Sequence, residues 1–449
     1  MKRFFAVAVL LLSLVSTTYG QTVTVRELPG GATLIVSREP EETNVVIEAF
    51  FRVGVADENA AGENGLSALL ARTWAGGAGS RSAWLLARDI GKFGALGVWS
   101  TGDYIELWTL SGAAEREIAA QTLLLNIVST PLFLPGVVEN AKRDVERERS
   151  VRTDGLLSEA IARLRGRIFV ASPTGRDPLS DPASLSGATP ANLRRFYAKT
   201  VGADARRAVF VVAGNIEADD AERMIRSALA AGDWQAWRDS GKAAKPMILP
   251  IVATDAIPEG LKPLDLRRAA PSRLALVGFV APGTTEGVQT AATLHVLDAV
   301  LGGGKDCRLF ALRDRSGDDT PIAYDIVSRI EAGREQSLWI ASVSGTIPPS
   351  QLAQKTVVAT LTALADGSRP VTDDELARAK IFLKGRHRRE RQRLTDRASA
   401  LGYAQVMGLG ATFESDYDAQ IDAITVAQVN ALAKRIFSTN AAYAVTGSE

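Results

Sequence analysis

Thr189-Pro-Ala-Asn-Leu193-Arg-Arg-Phe196-Tyr-Ala-Lys199 is followed by Ala208-Val-Phe-Val-Val-Ala213, which closes at Gly214. The first segment opens on a threonine suited to cap a helix and sets its apolar residues at helical spacing; the second alternates as a strand does. The end of the chain repeats both, with Thr425-Val-Ala-Gln-Val429-Asn-Ala-Leu432-Ala-Lys-Arg435 ahead of Ala441-Ala-Tyr-Ala-Val-Thr446 and Gly447. The openings match as well. Strand Val45 to Val53, a polar loop and a helix near Gly65 to Trp74 correspond to strand Leu274 to Val280, a polar loop and a helix near Gln289 to Leu301. Two copies of one unit of roughly 200 residues are the simplest account. Neither copy shows regular βαβ alternation, so the expected class is α+β: two tandem lobes, each an antiparallel sheet packed with helices.

The first lobe is expected over 21–238, a linker over 239–264 and the second lobe over 265–449. Pro246, Pro250, Pro258 and Pro263 fall in the join, and Trp234 and Trp237 just ahead of it are expected to pack the end of the first copy. Ahead of both lobes, residues 1–20 read as a secretory signal: Lys2-Arg3, then an apolar run from Phe4 to Val15, then a small, polar region from Ser16 to Gly20. The run is short of the ~20 apolar residues a spanning helix needs. A periplasmic or secreted protein without stable membrane insertion is therefore expected. A single cysteine, Cys307, excludes an internal disulfide, so stability rests on the core.

Lys plus Arg is 52 and Asp plus Glu is 51, which leaves no global field to attract nucleic acid. The only histidines are His295 and His387, and no metal cluster follows from their spacing or from that of Cys307. No Gly-x-Ser-x-Gly and no Cys/His pair is present. Gly302-Gly303-Gly304 ahead of Lys305 lacks the ending of a phosphate loop and reads as a helix C-cap and turn. Arg386-His387-Arg388-Arg389, continuing through Arg393, is a basic run on a long helix; it is either a solvated face or part of a cavity attracting acidic peptide.

Several stretches in order carry a resemblance: Gly65-Leu66-Ser67-Ala68-Leu69-Leu70-Ala71-Arg72, Lys142-Arg143-Asp144-Val145-Glu146-Arg147-Glu148, Leu301-Gly-Gly-Gly304 into Arg308-Leu309-Phe310, Leu312-Arg313, Ile322-Ala323-Tyr324, and Glu375-Leu376-Ala377-Arg378-Ala379-Lys380. Together they resemble the pitrilysin/insulinase family of zinc metallopeptidases, in the size range of its short, mitochondrial-processing-peptidase-like bacterial members. The resemblance implies half of a clamshell. It also implies that the family's His-x-x-Glu-His falls on Ala68, Ala71 and Arg72, that its third ligand falls on Glu148, and that its accompanying upstream glutamate is Ala141. Zinc hydrolysis needs three protein ligands, an open position and a base. Two alanines, an arginine and one carboxylate supply none of that, so this chain is expected to hold no metal and no cofactor. Glu148 is either a solvated helix residue or a partner of Arg72.

By the same resemblance Arg313 and Tyr324 match a pair that reaches substrate from the second half, with Ser316 to Thr320 as extra residues between them. A guanidinium suits a peptide carbonyl and a phenol suits a developing oxyanion; the plain alternative is a surface arginine and a strand tyrosine. Gly97, Val98 and Trp99 match the family's substrate-binding edge strand, where the family prefers Asn-Ala to Gly97-Val98. The expectation is a non-catalytic subunit of a periplasmic heterodimeric zinc metallopeptidase, helping an active partner that carries the intact motif and its zinc to bind and position peptide. The alternative is a peptide-binding or structural scaffold with no role in proteolysis.

Overall fold

The computed structural model describes residues 15–18, 21–59, 62–180, 182–239, 255–267, 273–313, 323–345 and 347–447. Most of the expected signal segment, residues 240–254 of the linker with Pro246 and Pro250, and Ser316 to Thr320 with Ile322 lie outside the described residues.

In the first lobe, β1 (Val15–Thr18), β2 (Gln21–Glu27), β3 (Thr33–Arg38) and β4 (Asn44–Phe51) are followed by helix α1 (Leu66–Trp74). A two-residue ribbon, β5 (Gly77–Ala78) with β6 (Arg81–Ser82), precedes β7 (Gly94–Ser100) and β8 (Ile105–Gly112). Helices α2 (Pro135–Asp154), α3 (Leu156–Ile168) and α4 (Pro190–Lys199) then lead to β9 (Ala208–Gly214) and α5 (Ala218–Ala230). The sheet order is β1-β2-β3-β9-β4-β8-β7. The second lobe runs β10 (Leu264–Arg267), β11 (Arg273–Pro282), α6 (Val288–Gly302), β12 (Asp325–Glu331), β13 (Gln336–Gly345), α7 (Ile347–Ala365), α8 (Asp373–Glu390), α9 (Leu394–Val406), α10 (Val426–Phe437) and β14 (Ala442–Gly447). Its sheet order is β10-β14-β11-β13-β12.

Substituting β3, β4, β7, β8 and β9 for β10 to β14 in turn converts the second order into the last five strands of the first, to which β1 and β2 are added at one edge. Each sheet is antiparallel except for one parallel pair, β3 with β9 and β10 with β14. The last strand of each unit inserts beside the first, and that insertion refines the fully antiparallel sheet expected from the sequence. The repeated helices are built alike at their starts. Thr189 Oγ1 accepts from the Asn192 N–H at 3.2 Å while Asn192 Oδ1 accepts from the Thr189 N–H at 3.0 Å; Thr425 and Gln428 do the same at 3.3 and 2.8 Å. Both satisfy N–H groups that a helix start leaves without partners.

Alternation along the central strands puts apolar groups on both faces of each sheet. On β4 and β9, Val45, Ile47, Phe51, Phe210 and Val212 join the first-lobe core with α1 and α5. Val46, Phe50, Val209 and Val211 face the other way, where they meet Leu394, Ala398 and Leu401 of α9 from the second half. The reverse holds too. Leu274, Leu276, Leu338 and Ile340 of the second sheet are covered by Ala160, Ile161, Leu164 and Ile168 of α3 from the first half. The halves have exchanged helices, so the boundary near residue 239 divides the chain but not the packing. At ~1.5–3 kcal/mol for each large aliphatic side chain buried, these shared faces are a major part of what holds the lobes together. Gly402 lets α9 approach closely: a Cβ there would sit 2.0 Å from the Phe50 ring. Arg397 of α9 donates to Glu39 at 2.5 and 2.9 Å and to Glu42 at 2.6 Å in the β3–β4 turn. In the middle of this contact Ser399 Oγ lies 3.0 Å from Glu48 Oε1 and 2.9 Å from Glu106 Oε1.

The described part of the linker is anchored. Asp255 accepts from the N–H groups of Ala171 and Ser172 at 2.9 and 2.8 Å, and its own N–H donates to Gln336 at 2.7 Å. Trp234 is fully buried, donating to the Val201 carbonyl at 2.9 Å, and Trp237 packs against the same core.

Candidate functional site

Helix α1 begins at a carboxylate. Glu58 accepts from the Gly65 and Ser67 N–H groups at 2.9 Å each and from Ser67 Oγ at 2.6 Å. The negative charge complements the positive end of the helix, while burial raises the carboxyl pKa against those hydrogen bonds. Sequence reasoning did not single out Glu58; the signal was present as an acid seven residues ahead of Gly65.

From that start, residues i, i+3 and i+4 share a face, which brings Ala68, Ala71 and Arg72 together. Ala68 and Ala71 are buried. Arg72 folds back to donate to the Ala68 carbonyl at 2.9 Å, and its other terminal nitrogen forms an ion pair with Glu148 on α2. Ala141, one of the buried residues of α2, belongs to the lobe's core. The donor set does not fit zinc: one carboxylate remains, and a guanidinium occupies it. Among the described residues no group of three or more His, Cys, Asp or Glu is placed to hold a metal ion. The two histidines belong to the second lobe. Burial lowers His295 to a pKa of about 4, and His387 lies 2.9 Å from Glu414 and stacks on Tyr417.

Arg72 and Glu148 form one wall of a cavity of about 660 Å³. Its other walls are the last residue of β7 and the two that follow it (Ser100 to Gly102), Leu157, Ile161 and Arg165 of α3, and Arg329 and Glu331 of β12. The cavity thus spans the two halves. A further chamber of about 230 Å³ adjoins it and contains Arg52, Asp103 and Arg334. Burial raises Asp103 to a pKa of about 6 despite Arg165 and Arg334; burial and the nearby Arg334 and Arg207 lower Arg52 to about 10.

Gly97, Val98 and Trp99 lie on β7, the margin of the first sheet. The indole of Trp108 lies over Gly97 so closely that a Cβ there would stand 2.4 Å from the ring, which accounts locally for glycine at this position. Val98 packs on the core and Trp99 is 62% exposed. Arg313 places its guanidinium 4.8 Å from the Phe310 ring centroid. Tyr324 is held by its backbone, whose N–H donates to Ser344 at 2.8 Å, while its side chain is 66% exposed. Neither borders the cavity at Arg72, so within this chain the structure gathers the four degenerate metal positions and keeps Arg313 and Tyr324 apart from them. The basic run also lies elsewhere. Arg388 pairs with Asp418 at 2.6 Å and Arg391 with Glu414 at 3.0 Å, beside a different cavity of about 540 Å³ that includes Glu39, Glu41 and Glu42.

Residues 187–383 match the model of the peptidase M16 inactive domain. Over 435 residues the chain is 25% identical to an uncharacterized zinc protease of Mycobacterium leprae, covering 94% of this chain and 90% of that protein. A protease from Helicobacter pylori superposes with a TM-score of 0.81 at 16% identity, covering 96% of this chain and 100% of the other. A peptidase M16 inactive domain from Pseudomonas fluorescens superposes with 0.79 at 17% identity, covering 95% and 98%. These matches support a non-catalytic homologue of the M16 peptidases, in agreement with the family read from the sequence. The chain's two-lobed fold is the fold of those proteins.

Proposed function

We propose that this chain is the non-catalytic subunit of a periplasmic heterodimeric zinc peptidase, paired with a relative that carries the intact His-x-x-Glu-His motif. The observation that carries this reading is the Arg72–Glu148 ion pair standing at the degenerate metal position on the wall of a peptide-sized cavity. A site that has lost its ligands yet keeps its cavity suits substrate holding better than hydrolysis. In this reading Arg313 and Tyr324 act at the partner's metal centre: the guanidinium donates to a substrate carbonyl and the phenol to the oxyanion. The exposure of Tyr324, away from this chain's own cavity, is what such a role requires.

The test is recovery of the tagged, exported chain from its own host. The expected companion is a paralogue bearing His-x-x-Glu-His. The chain alone, dialysed against micromolar zinc, is expected to hold no stoichiometric metal and to leave casein uncut. One tightly held zinc per chain, or turnover by the isolated chain that a chelator abolishes, overturns the reading. Recovery with no such paralogue favours the scaffold alternative.

A further inference from the structure

The cavity beside Arg72 and the chamber behind it are one interior, because Thr101, Gly102, Arg165 and Glu331 border both. Eight arginines and six carboxylates border it, an excess of two positive charges that lies in the larger cavity, since the chamber's four arginines face Asp57, Asp103, Glu331 and Glu335. Arg72, Arg152 and Arg207 are matched to Glu148, Asp177 and Asp57. Arg176 donates to the carbonyls of Val55 and Glu58 at 3.1 and 2.7 Å, which are neutral acceptors. The side chains of Arg165 and Arg329 make no hydrogen bond or close ion pair among the described residues, although Arg165 feels the charge of Asp103 in the chamber, and both border the larger cavity. The crowding of cations is visible at Arg52, which burial, Arg334 and Arg207 together lower to about 10. Beside these cations Leu157 and Ile161 present apolar surface, and the sheet margin of β7 ends at Ser100 in the same wall.

Cations held in a partly enclosed space bind carboxylates better than the same groups would in bulk water, since screening is weaker there. We infer that the shared interior takes a peptide segment rich in acidic residues, with its carboxylates facing Arg165 and Arg329 and its apolar side chains on Leu157 and Ile161. The inference rests on the reading above that peptide enters this interior, and it adds the substrate's chemical class. Arg165 sits on the exchanged helix α3 and Arg329 on β12, so the preference is a property of the two halves together.

The test uses the isolated full chain and fluorescently labelled peptides of one length that share their apolar residues and differ only in carrying Asp/Glu, Ser/Gln or Lys/Arg. The acidic peptide is expected to bind tightest, with an affinity that falls as salt rises. Arg165→Gln and Arg329→Gln are each expected to weaken it by roughly threefold to tenfold. Neither variant should change the neutral peptide's binding or the thermal melt. Equal or tighter binding of the neutral or basic peptide, no binding of any peptide, or unchanged affinity in both variants overturns the inference. Because the measurement needs no partner, its failure is distinct from a failure to recover the paralogue.

Discussion

Ser399 has one hydroxyl hydrogen and two carboxyl neighbours, Glu48 and Glu106. It can donate to only one of them; in the other contact the carboxyl must carry a proton and donate to the serine oxygen. Burial raises the pKa of both acids, and for Glu48 the neighbouring Glu106 adds to it. Glu48 Oε2 is buried with no hydrogen-bond partner among the described residues. A folded pKa above the unfolded one gives stability that is complete below the ordinary glutamate value and is lost as pH rises through the folded value. Glu48→Gln mimics the protonated form. Its melting temperature is therefore expected to exceed the parent's at pH 8 and to match or fall below it at pH 5, in melts recorded across that range. A difference that does not change with pH would show that Glu48 titrates alike in both states. At this same scale the sequence allowed part of the site to be read: the family resemblance placed the metal positions on Ala68, Ala71, Arg72 and Glu148, and left Glu148 as either a solvated helix residue or a partner of Arg72. Asp103, Arg165 and Arg329 were not legible, because they converge only after two sheets and an exchanged helix are in place.

At the scale of elements, the repeated helices and strands were readable because their determinants are local. The Thr189 and Thr425 caps, the alternation of β9 and β14, and the openings at β4 and β11 each lie within a dozen residues. The partners of α3 and α9 were not readable. Each carries apolar residues on a helical period, and nothing in that period says which sheet they cover. Gly402 gives a direct measure of the α9 contact. In an isolated helix, alanine for glycine gains about 1 kcal/mol; here the added methyl would sit 2.0 Å from Phe50. Gly402→Ala is expected to lower stability by roughly 1–3 kcal/mol in urea unfolding, since overpacking outweighs propensity. A stabilised Gly402→Ala would mean that α9 lies further from β4 than described.

For the whole molecule, the strongest consequence of the proposed assembly concerns Arg313 and Tyr324. In a reconstituted complex, Tyr324→Phe removes one donor and leaves the packing area nearly intact, so assembly should persist while turnover falls. The loss of a donor aimed at an oxyanion costs roughly 2.7–4 kcal/mol, or about a hundredfold or more in rate. Arg313→Ala is expected to raise KM more than it lowers kcat, as a residue that holds substrate would. Steady-state kinetics on complexes verified by gel filtration separate these outcomes. Intact complexes with unchanged kinetics would reduce both residues to ordinary surface.

The reciprocal placing of α3 and α9 also sets a timetable. Once α5 and Trp234 have followed β9 from the ribosome, the α1 side of its sheet has its partners in hand, but Val209 and Val211 on the other side wait for residues 394–406. At roughly 5–20 residues per second, that wait lasts on the order of 10–40 seconds. Through it the nascent chain displays a broad apolar strand surface, the kind that invites chaperones or unwanted association. A first half made alone would keep that surface for good. Completion of either lobe is thus an event of the finished polypeptide.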